Sequence, residues 1–557
     1  MKVKWYNPSF TYARRPFSII IYVVKVLLVQ PPIEDFYDTP IRTYPLALLY
    51  LATKIQPIAD ISILDFRTNR KPKVLRHHPF RELEHYYREG TSTPLSFFAR
   101  YYRFGCDYNE MKNEMRRRTP DVVAVSSLFT TYSLEALEVA QCAKEVSPEI
   151  VTVMGGTHPT LFPEHVLKSP YVDYVIRGEG ETPFFRLVAA LEQGGAACAG
   201  EIEGVCSKSG PDLHISGIHV ENNIDLIPDR KLVNPGDYRI GKKNYTFFLT
   251  SRGCPFHCAF CGRPPVPYRR RSLKSIEQEI SQCLDANIQA VDFEDDMLTL
   301  DPGYFRQVLK LFHGTGLTLS AMNGIYAGGM DAATLDDMFA AGFRRLNFSL
   351  VDASQSVTEK QGRPCGPDFL SLLPFLESSP FLTEVHFIIG LPDQRPEDVI
   401  NTIIFLMGKR VLLGPSLFYL APNSTIFSQI VGDAWEPNIK SMRSSAMVPA
   451  NSDLPRKSLY TFIKLVRFIN LVKNVIDQGD GIETLNDLIN NQRFTRISWS
   501  HEIIRVLLTE KRLVYYDGEH GNFLPEPHDP ELLKLFFQRA KGTAIRGFKT
   551  MNTLAID

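Results

Sequence analysis

Residues 251–261 read Ser251-Arg252-Gly253-Cys254-Pro255-Phe256-His257-Cys258-Ala259-Phe260-Cys261, and the rest of the chain is best read outward from them. Three cysteines at spacing C-x3-C-x2-C follow directly on the strand-like run Thr246–Thr250. Nine cysteines scattered at random over 557 positions would give roughly 0.002 such triples, so the spacing is a signal. Three thiolates on one loop hold three irons of a [4Fe–4S] cluster and leave the fourth open to a substrate or cofactor. The structural alternative is a zinc ion. It wants a fourth ligand, and His257 is badly placed for that between two of the cysteines.

Downstream, strand-like runs at Thr246–Thr250, Ala290–Phe293, Leu317–Ala321, Arg345–Leu350, Glu384–Ile389 and Ser416–Leu420 alternate with helical stretches. The helices fall at Leu273–Ala286, Pro302–His313, Asp331–Ala341, Asp368–Leu376 and Pro396–Met407. This pattern predicts a partial (β/α)6 barrel over 244–430, with its chemistry at the carboxyl ends of the strands. Upstream, the Val- and Ile-rich runs Lys25–Gln30, Ile61–Asp65, Val122–Ser126, Val151–Met154 and Tyr174–Ile176 read as buried parallel strands. Amphipathic segments at Pro45–Ile55, Ser133–Val146 and Thr182–Leu191 lie between them. The expectation is an α/β protein whose residues 25–200 form a doubly wound parallel sheet, binding its ligand beyond the strand ends. Residues 201–243 read as a linker. Residues 431–557 read as a mainly helical domain, with Leu459–Val475, Ile482–Asn490, His501–Lys511 and Glu531–Ala540.

Residues 67–118 interrupt the first sheet with 13 Lys/Arg against 6 Asp/Glu and many aromatics, among them Tyr86, Tyr87, Phe97, Phe98, Tyr101, Tyr102 and Tyr108. They are expected to form a solvated insertion, the alternative being a lid for an anionic ligand. Over the whole chain 62 basic residues balance 62 acidic ones, so a surface built to grip nucleic acid is not expected. With 44% hydrophobic and 11% aromatic residues the chain is neither disordered nor fibrous. Nine cysteines, an odd number, are far from a disulfide scaffold and point to a reducing cytoplasm. The apolar run Phe17–Val29 is too short to cross a membrane and contains Lys25. Residues 1–24 are an extension: a packed arm, a misplaced start, or a membrane-surface anchor.

The cysteine spacing, with the aromatic Phe260 just before the third cysteine, resembles the radical S-adenosylmethionine superfamily. The resemblance implies that Cys254, Cys258 and Cys261 hold the cluster. Its open iron is then chelated by the amino and carboxylate groups of S-adenosylmethionine, whose reductive cleavage gives a 5′-deoxyadenosyl radical. It continues at Glu294-Asp295-Asp296, at Ala341-Gly342-Phe343 leading to Asn347-Phe348-Ser349, and at Gly390-Leu391-Pro392. Where relatives carry Gly-x-Glu-Ser, this chain has Ser349-Leu350-Val351-Asp352, with Asp352 standing in for the glutamate at the ribose. Phe260, Glu294, Asp295 and Asp352 are thus the expected S-adenosylmethionine contacts.

The first domain resembles the cobalamin-binding domain that precedes the barrel in one subclass. The matching residues are Ser126-Ser127-Leu128, Gly155-Gly156-Thr157-His158-Pro159-Thr160 and Arg177-Gly178-Glu179-Gly180-Glu181. A small Ser and a Gly pair let a bulky nucleotide tail pass close to the backbone. Ser126, Leu128, Gly155, Gly156, His158 and Glu181 are the expected cobalamin contacts, although His158 also reads as a packed or capping residue. No Asp-x-His-x-x-Gly motif supplies a histidine to cobalt. Arg269-Arg270-Arg271 reads as a solvated turn or as countercharge for an anionic ligand. Cys106, Cys142, Cys198, Cys206, Cys283 and Cys365 read as ordinary thiols.

The function so implied is methylation of an unactivated carbon in a small molecule, lipid or peptide, with an electron donor such as flavodoxin or ferredoxin. The alternatives are a cobalamin-dependent rearrangement or cyclisation, and a non-enzymatic sensor. A methylthiotransferase would need three further clustered cysteines. No catalytic side chain is assigned.

Overall fold

The computed structural model describes residues 23–37, 44–193, 201–363, 366–431, 438–479, 484–491, 497–549 and 553–555. The expected extension up to residue 22, Cys198 and Cys365 lie outside them. Five strands, β1 (Val24–Gln30), β2 (Ala59–Asp65), β3 (Val122–Ser126), β4 (Val151–Gly155) and β5 (Tyr174–Ile176), form a parallel sheet in the order β2-β1-β3-β4-β5. That is the doubly wound order with its switch point between β1 and β3.

The central strands β1, β3 and β4 are largely apolar because both faces are covered, whereas the edge strand β2 carries Asp60, Ser62 and Asp65. On one face Leu27, Val29, Val123, Val125 and Met154 pack under Ala136, Val139 and Ala143 of α2 (Ser133–Val146). On the other, Val26, Leu28, Ala124 and Val153 pack under α1 (Leu46–Ile55) and α3 (Glu181–Glu192). Leu28 is completely buried, and its replacement by Ala is expected to cost about 2–5 kcal/mol.

The segment expected to be a linker does more than connect. Val205–Ser209 and Asp212–His214 (β6 and β7) extend the first sheet in antiparallel fashion. Arg230 is buried, donating to Thr246 Oγ1 at 2.9 Å and to Glu279 Oε1 at 2.5 Å. The basic insertion is not a solvated loop either. Phe80, Leu83, Tyr87, Leu95 and Tyr101 belong to the main core of the molecule. Tyr87 Oη donates to Ser445 O at 2.9 Å, and Lys464 Nζ donates to Leu95 O at 3.0 Å. Its arginines and lysines are largely paired, Lys73 with Asp107 inside the insertion and Arg103 with Glu34 and Glu138 of the sheet domain. Aromatic burial against the C-terminal region outweighs the charge excess that suggested solvation.

The second unit carries six strands: β8 (Lys243–Phe248), β9 (Ala290–Phe293), β10 (Thr318–Ser320), β11 (Arg345–Val351), β12 (Leu382–Ile389) and β13 (Leu412–Leu417). All neighbouring pairs are parallel, and isolated bridges from Leu319 to Phe343 and from Ile325 to Phe348 join the two three-strand halves. The helices α4 (Leu273–Asp285), α5 (Pro302–Phe312), α6 (Ala332–Ala341) and α7 (Pro396–Met407) cover the outside. The last strand starts four residues before the expected Ser416–Leu420. Gly414 and Pro415 mask it in the sequence, yet proline is tolerated because β13 is an edge. A Cβ on Gly414 would sit 2.7 Å from His386 Nδ1, so the glycine makes room for that imidazole.

The open edge is covered by α8 (Arg456–Ile476). Its Asn470 gives Leu413 both an acceptor for the N–H (3.1 Å) and a donor for the carbonyl (2.8 Å). The C-terminal region is mainly helical as expected, but it also carries a hairpin, Val514–Asp517 with Asn522–Pro525, on which Thr91–Ser92 of the insertion pairs. Among the described residues no helix is long and apolar enough to cross a membrane.

Candidate functional site

The three cysteines lie on a hairpin at the carboxyl end of β8. Its stem is a short antiparallel pair, Ser251–Arg252 with Arg269–Arg270. Gly253 has φ +87°, and a Cβ there would overlap Pro267 O, so only glycine lets the loop begin. The loop is held from two sides. Ala259 N donates to Gln361 O at 3.0 Å, and Ile426 N donates to Ala259 O at 3.1 Å. Cys258 is buried, and Cys254 and Cys261 are half-buried.

Burial pushes the Cys254 and Cys258 thiols up, and Cys261 and Cys254 act on Cys258 in the same sense. Arg263 and Arg363 act in the opposite sense on Cys254. Among the described residues no three His, Cys, Asp or Glu side chains converge on a single ion. A cubane does not require that, since each thiolate binds a separate iron. This soft, half-buried, cation-flanked donor set fits a [4Fe–4S] cluster.

Asp295 is wholly buried, and burial raises its carboxyl to about 6. It accepts from Thr250 N (3.0 Å), Thr250 Oγ1 (2.6 Å), Ser251 N (2.6 Å) and Ser251 Oγ (2.6 Å). Expected as an S-adenosylmethionine contact, it ties the base of the cysteine hairpin to β9 through these bonds. Asp352 is tied into the frame in the same way. Also buried, it accepts from Ser354 N (2.7 Å), Thr402 Oγ1 (3.0 Å) and Gln394 Nε2 (2.7 Å). Gln394 Oε1 then receives Gly390 N at 2.8 Å, so Asp352 shapes the Gly390-Leu391-Pro392 turn. Glu294 stays half-buried at the end of β9, accepting from Asn323 Nδ2 at 2.7 Å. Phe260 packs beside Val351, Leu391 and Phe418, at the ends of β11, β12 and β13. Residues of β11 and β12 on the helix side, such as Phe348 and Phe387, belong to the core. Alternation therefore places Asn347, Ser349, Glu384 and His386 on the lumen face.

In the first domain, Ser126 ends β3, and Leu128 and Phe129 just beyond it leave 46% and 55% of their surfaces exposed. Large apolar side chains open at the carboxyl ends of a doubly wound sheet suit a bulky ligand. Ser127 is buried, and its Oγ has no hydrogen-bond partner. The two glycines differ. A Cβ on Gly155 would meet Ile176 Cβ at an ordinary 3.6 Å, whereas one on Gly156 (φ +112°) would lie 2.7 Å from Ser127 O. Gly155 thus offers the room expected for a cofactor, while Gly156 is demanded by the chain's own crossing of β3.

His158 is fully buried, its Nδ1 within 3.2 Å of Thr130 Oγ1, and burial lowers its pKa to about 3. Its Nε2 is buried without a hydrogen-bond partner. Glu181 reaches across to the barrel. It accepts from Arg252 Nη2 at 2.6 Å and so joins the first domain to the cysteine hairpin. Arg269-Arg270-Arg271 is neither a solvated turn nor free countercharge, since the three pair with Glu179, Asp301 and Glu279.

Several framing residues escaped the sequence reading. Arg443 donates to Asp35 Oδ2 (3.0 Å), Thr131 Oγ1 (2.8 Å) and Thr131 O (3.1 Å), drawing the C-terminal segment over the loops after β1 and β3. No local motif announces it. Arg252 could have been noticed as a charge two positions before Cys254.

The family described as B12 binding domain matches residues 101–188. The chain is 26% identical over 412 residues to cytidylyl-2-hydroxyethylphosphonate methyltransferase of Streptomyces wedmorensis, covering 66% of this chain and 73% of the relative. It is 30% identical over 337 residues to the anaerobic magnesium-protoporphyrin IX monomethyl ester cyclase of Rubrivivax gelatinosus, covering 53% and 55%. Among solved structures, the radical S-adenosylmethionine methyltransferase TsrM of Kitasatospora setae, with cobalamin and a [4Fe–4S] cluster bound, superposes with a TM-score of 0.55 over 75% of this chain and 76% of its own, at 17% identity. The cobalamin-dependent radical enzyme OxsB, with aqua-cobalamin and S-adenosylmethionine bound, gives 0.58 over 88% and 72%, at 12% identity. At these identities the superpositions speak for the fold. Together with the cysteine hairpin and the B12-binding match over 101–188, they bear out the chain's resemblance to the radical S-adenosylmethionine superfamily, in the subclass with an N-terminal cobalamin-binding domain.

Proposed function

We propose that this protein is a cobalamin-dependent radical S-adenosylmethionine enzyme that methylates a carbon of a small molecule. One observation carries the reading: the C-x3-C-x2-C hairpin stands at the mouth of the half-barrel and is ion-paired to a doubly wound domain with open apolar strand ends. When bound, S-adenosylmethionine and the cluster supply a hydrogen-abstracting radical, and cobalamin supplies the carrier for a methyl group.

The chain's own residues hold, orient and shield. Cys254, Cys258 and Cys261 ligate the cluster. Phe260 and Glu294 flank S-adenosylmethionine, in a cleft shaped by Asp295 and by the Asp352–Gln394 pair. Ser126, Leu128 and Gly155 line the cobalamin crevice. The lumen face with Asn347, Ser349, Glu384 and His386 supports a polar substrate able to donate hydrogen bonds. A lipid or peptide substrate, a flavodoxin or ferredoxin as electron donor and a cytoplasmic setting complete the proposal as its finer, separate parts.

The test is to incubate anaerobically purified protein, loaded with iron, sulfide and hydroxocobalamin, with S-adenosylmethionine and a reductant. Formation of both 5′-deoxyadenosine and S-adenosylhomocysteine supports methyl transfer. The likeness to the cyclase favours a second reading, ring formation without methyl transfer, which would give 5′-deoxyadenosine alone. Protein that binds no cobalt and cleaves no S-adenosylmethionine overturns both.

A further inference from the structure

The two residues that pair across the stem of the cysteine hairpin, Arg252 and Arg269, are both held by the first domain. Glu179 receives Arg269 with both oxygens, each at 2.8 Å, and lies 3.5 Å from Arg252. Glu181 receives Arg252 at 2.6 Å, and that guanidinium also lies over the Tyr50 ring of α1, 4.9 Å from its centroid. All four charged side chains are at most 17% exposed. The alternate stem residues face the barrel instead, Ser251 to Asp295 and Arg270 to Asp301. One side of the stem thus belongs to the barrel and the other to the first domain, as strand alternation dictates.

The glutamates are themselves fixed. Gly178, at φ +98°, bridges to His219, where a Cβ would overlap the His219 carbonyl. Glu221 N donates to Glu179 Oε2 at 2.6 Å. Bidentate arginine–carboxylate pairs are directional, so the arrangement sets an orientation as well as a contact. The sheet core and the barrel core do not depend on these pairs, and a further apolar cluster of Leu46, Leu49 and Tyr50 with Tyr245 and Phe247 keeps the two units together without them.

We infer that Glu179 and Glu181 are positioning residues that hold the cluster hairpin in register with the cobalamin crevice, so that their loss separates the two cofactors without emptying either site. The inference rests on the cofactor assignment proposed above. The experiment compares full-length wild type, a Glu179→Gln/Glu181→Gln double variant, and a charge-swapped Glu181→Arg/Arg252→Glu variant. Each is loaded anaerobically with iron, sulfide and hydroxocobalamin and titrated with dithionite to the point where cob(II)alamin and the reduced cluster coexist. Iron and cobalt are measured in the same samples as the electron-spin spectrum of the cobalt, whose broadening by the nearby reduced cluster reports their spacing.

The expected result is wild-type iron and cobalt in all three, loss of the broadening in the double glutamine variant, and its return in the charge-swapped protein. Broadening that is absent from wild type or unchanged in the double glutamine variant overturns the inference. So does loss of either metal from that variant, or a swap that restores nothing. Wild-type protein that binds no cobalt at all instead overturns the cofactor assignment beneath it.

Discussion

The Asp352 carboxylate and the Gln394 amide meet at 2.7 Å in the protein interior, and this bond joins the end of β11 to the turn after β12. Thr402 Oγ1 on α7 shares the same carboxylate at 3.0 Å. In Asp352→Ala the Thr402 hydroxyl and one Gln394 N–H lose their acceptor, and each buried orphan costs about 1–3 kcal/mol. Denaturant unfolding should therefore show Asp352→Ala clearly less stable than wild type, with Asp352→Asn between them. An Ala variant as stable as wild type would contradict the assignment of Asp352 to the frame.

The glycine pair separates fold from cofactor. A side chain at Gly156 must enter the left-handed region and displace Ser127 O, so Gly156→Val should lose about 1–3 kcal/mol or fail to fold. Gly155→Val should fold normally and lose cobalt, because a Cβ there makes only an ordinary contact with Ile176 and the fold itself does not demand glycine. Cobalt content beside thermal unfolding checks both, and a Gly155→Val protein with full cobalt would remove that residue from the crevice.

Glu135, in the first turn of α2, is 3% exposed, and burial raises its pKa from 4.5 to about 7. Lys440 at 3.7 Å and Arg443 oppose the shift, while Glu34 adds to it. Between pH 4.5 and 7 the folded state keeps a proton that the unfolded state releases. Stability should therefore fall as pH rises through that window, by up to about 3 kcal/mol. In Glu135→Gln that part of the slope should vanish. Urea unfolding at pH 5 and pH 8 decides it, and an unchanged slope in the variant would count against the buried carboxyl.

Cys254→Ala removes one of the three thiols of the hairpin. Iron bound after anaerobic loading should drop to a small fraction of wild type, and 5′-deoxyadenosine formation should disappear. Cys283→Ala, in the core under α4, should leave iron unchanged. Iron retained in Cys254→Ala would sink the cluster assignment.

Much of this architecture was legible along the chain because it is written in local periodicity. Runs of Val and Ile covered on both faces announced all five parallel strands of the first sheet, and α2 and α7 begin and end where the pattern said. Gly414 and Pro415 defeated the same logic at β13, since an edge strand backed by Asn470 tolerates residues that usually end one. The insertion misled for another reason. Its charge excess is visible in composition, but the burial of Phe80, Tyr87 and Tyr101 depends on surfaces several hundred residues away.

By itself, the sequence determined that three cysteines lie together on one loop, because they fall within eight residues directly after a strand. It also determined that Ser126 and Gly155 stand at strand ends, which the apolar runs before them mark locally. Only the tertiary structure decided what the acidic residues do. Asp295, Asp352 and Glu181 all carry the right charge in the right motif, yet each accepts a hydrogen bond from a partner 42 to 71 residues distant. A carboxylate is equally able to bind a ligand or to anchor a frame, and which it does depends on the donors that folding brings within hydrogen-bond reach.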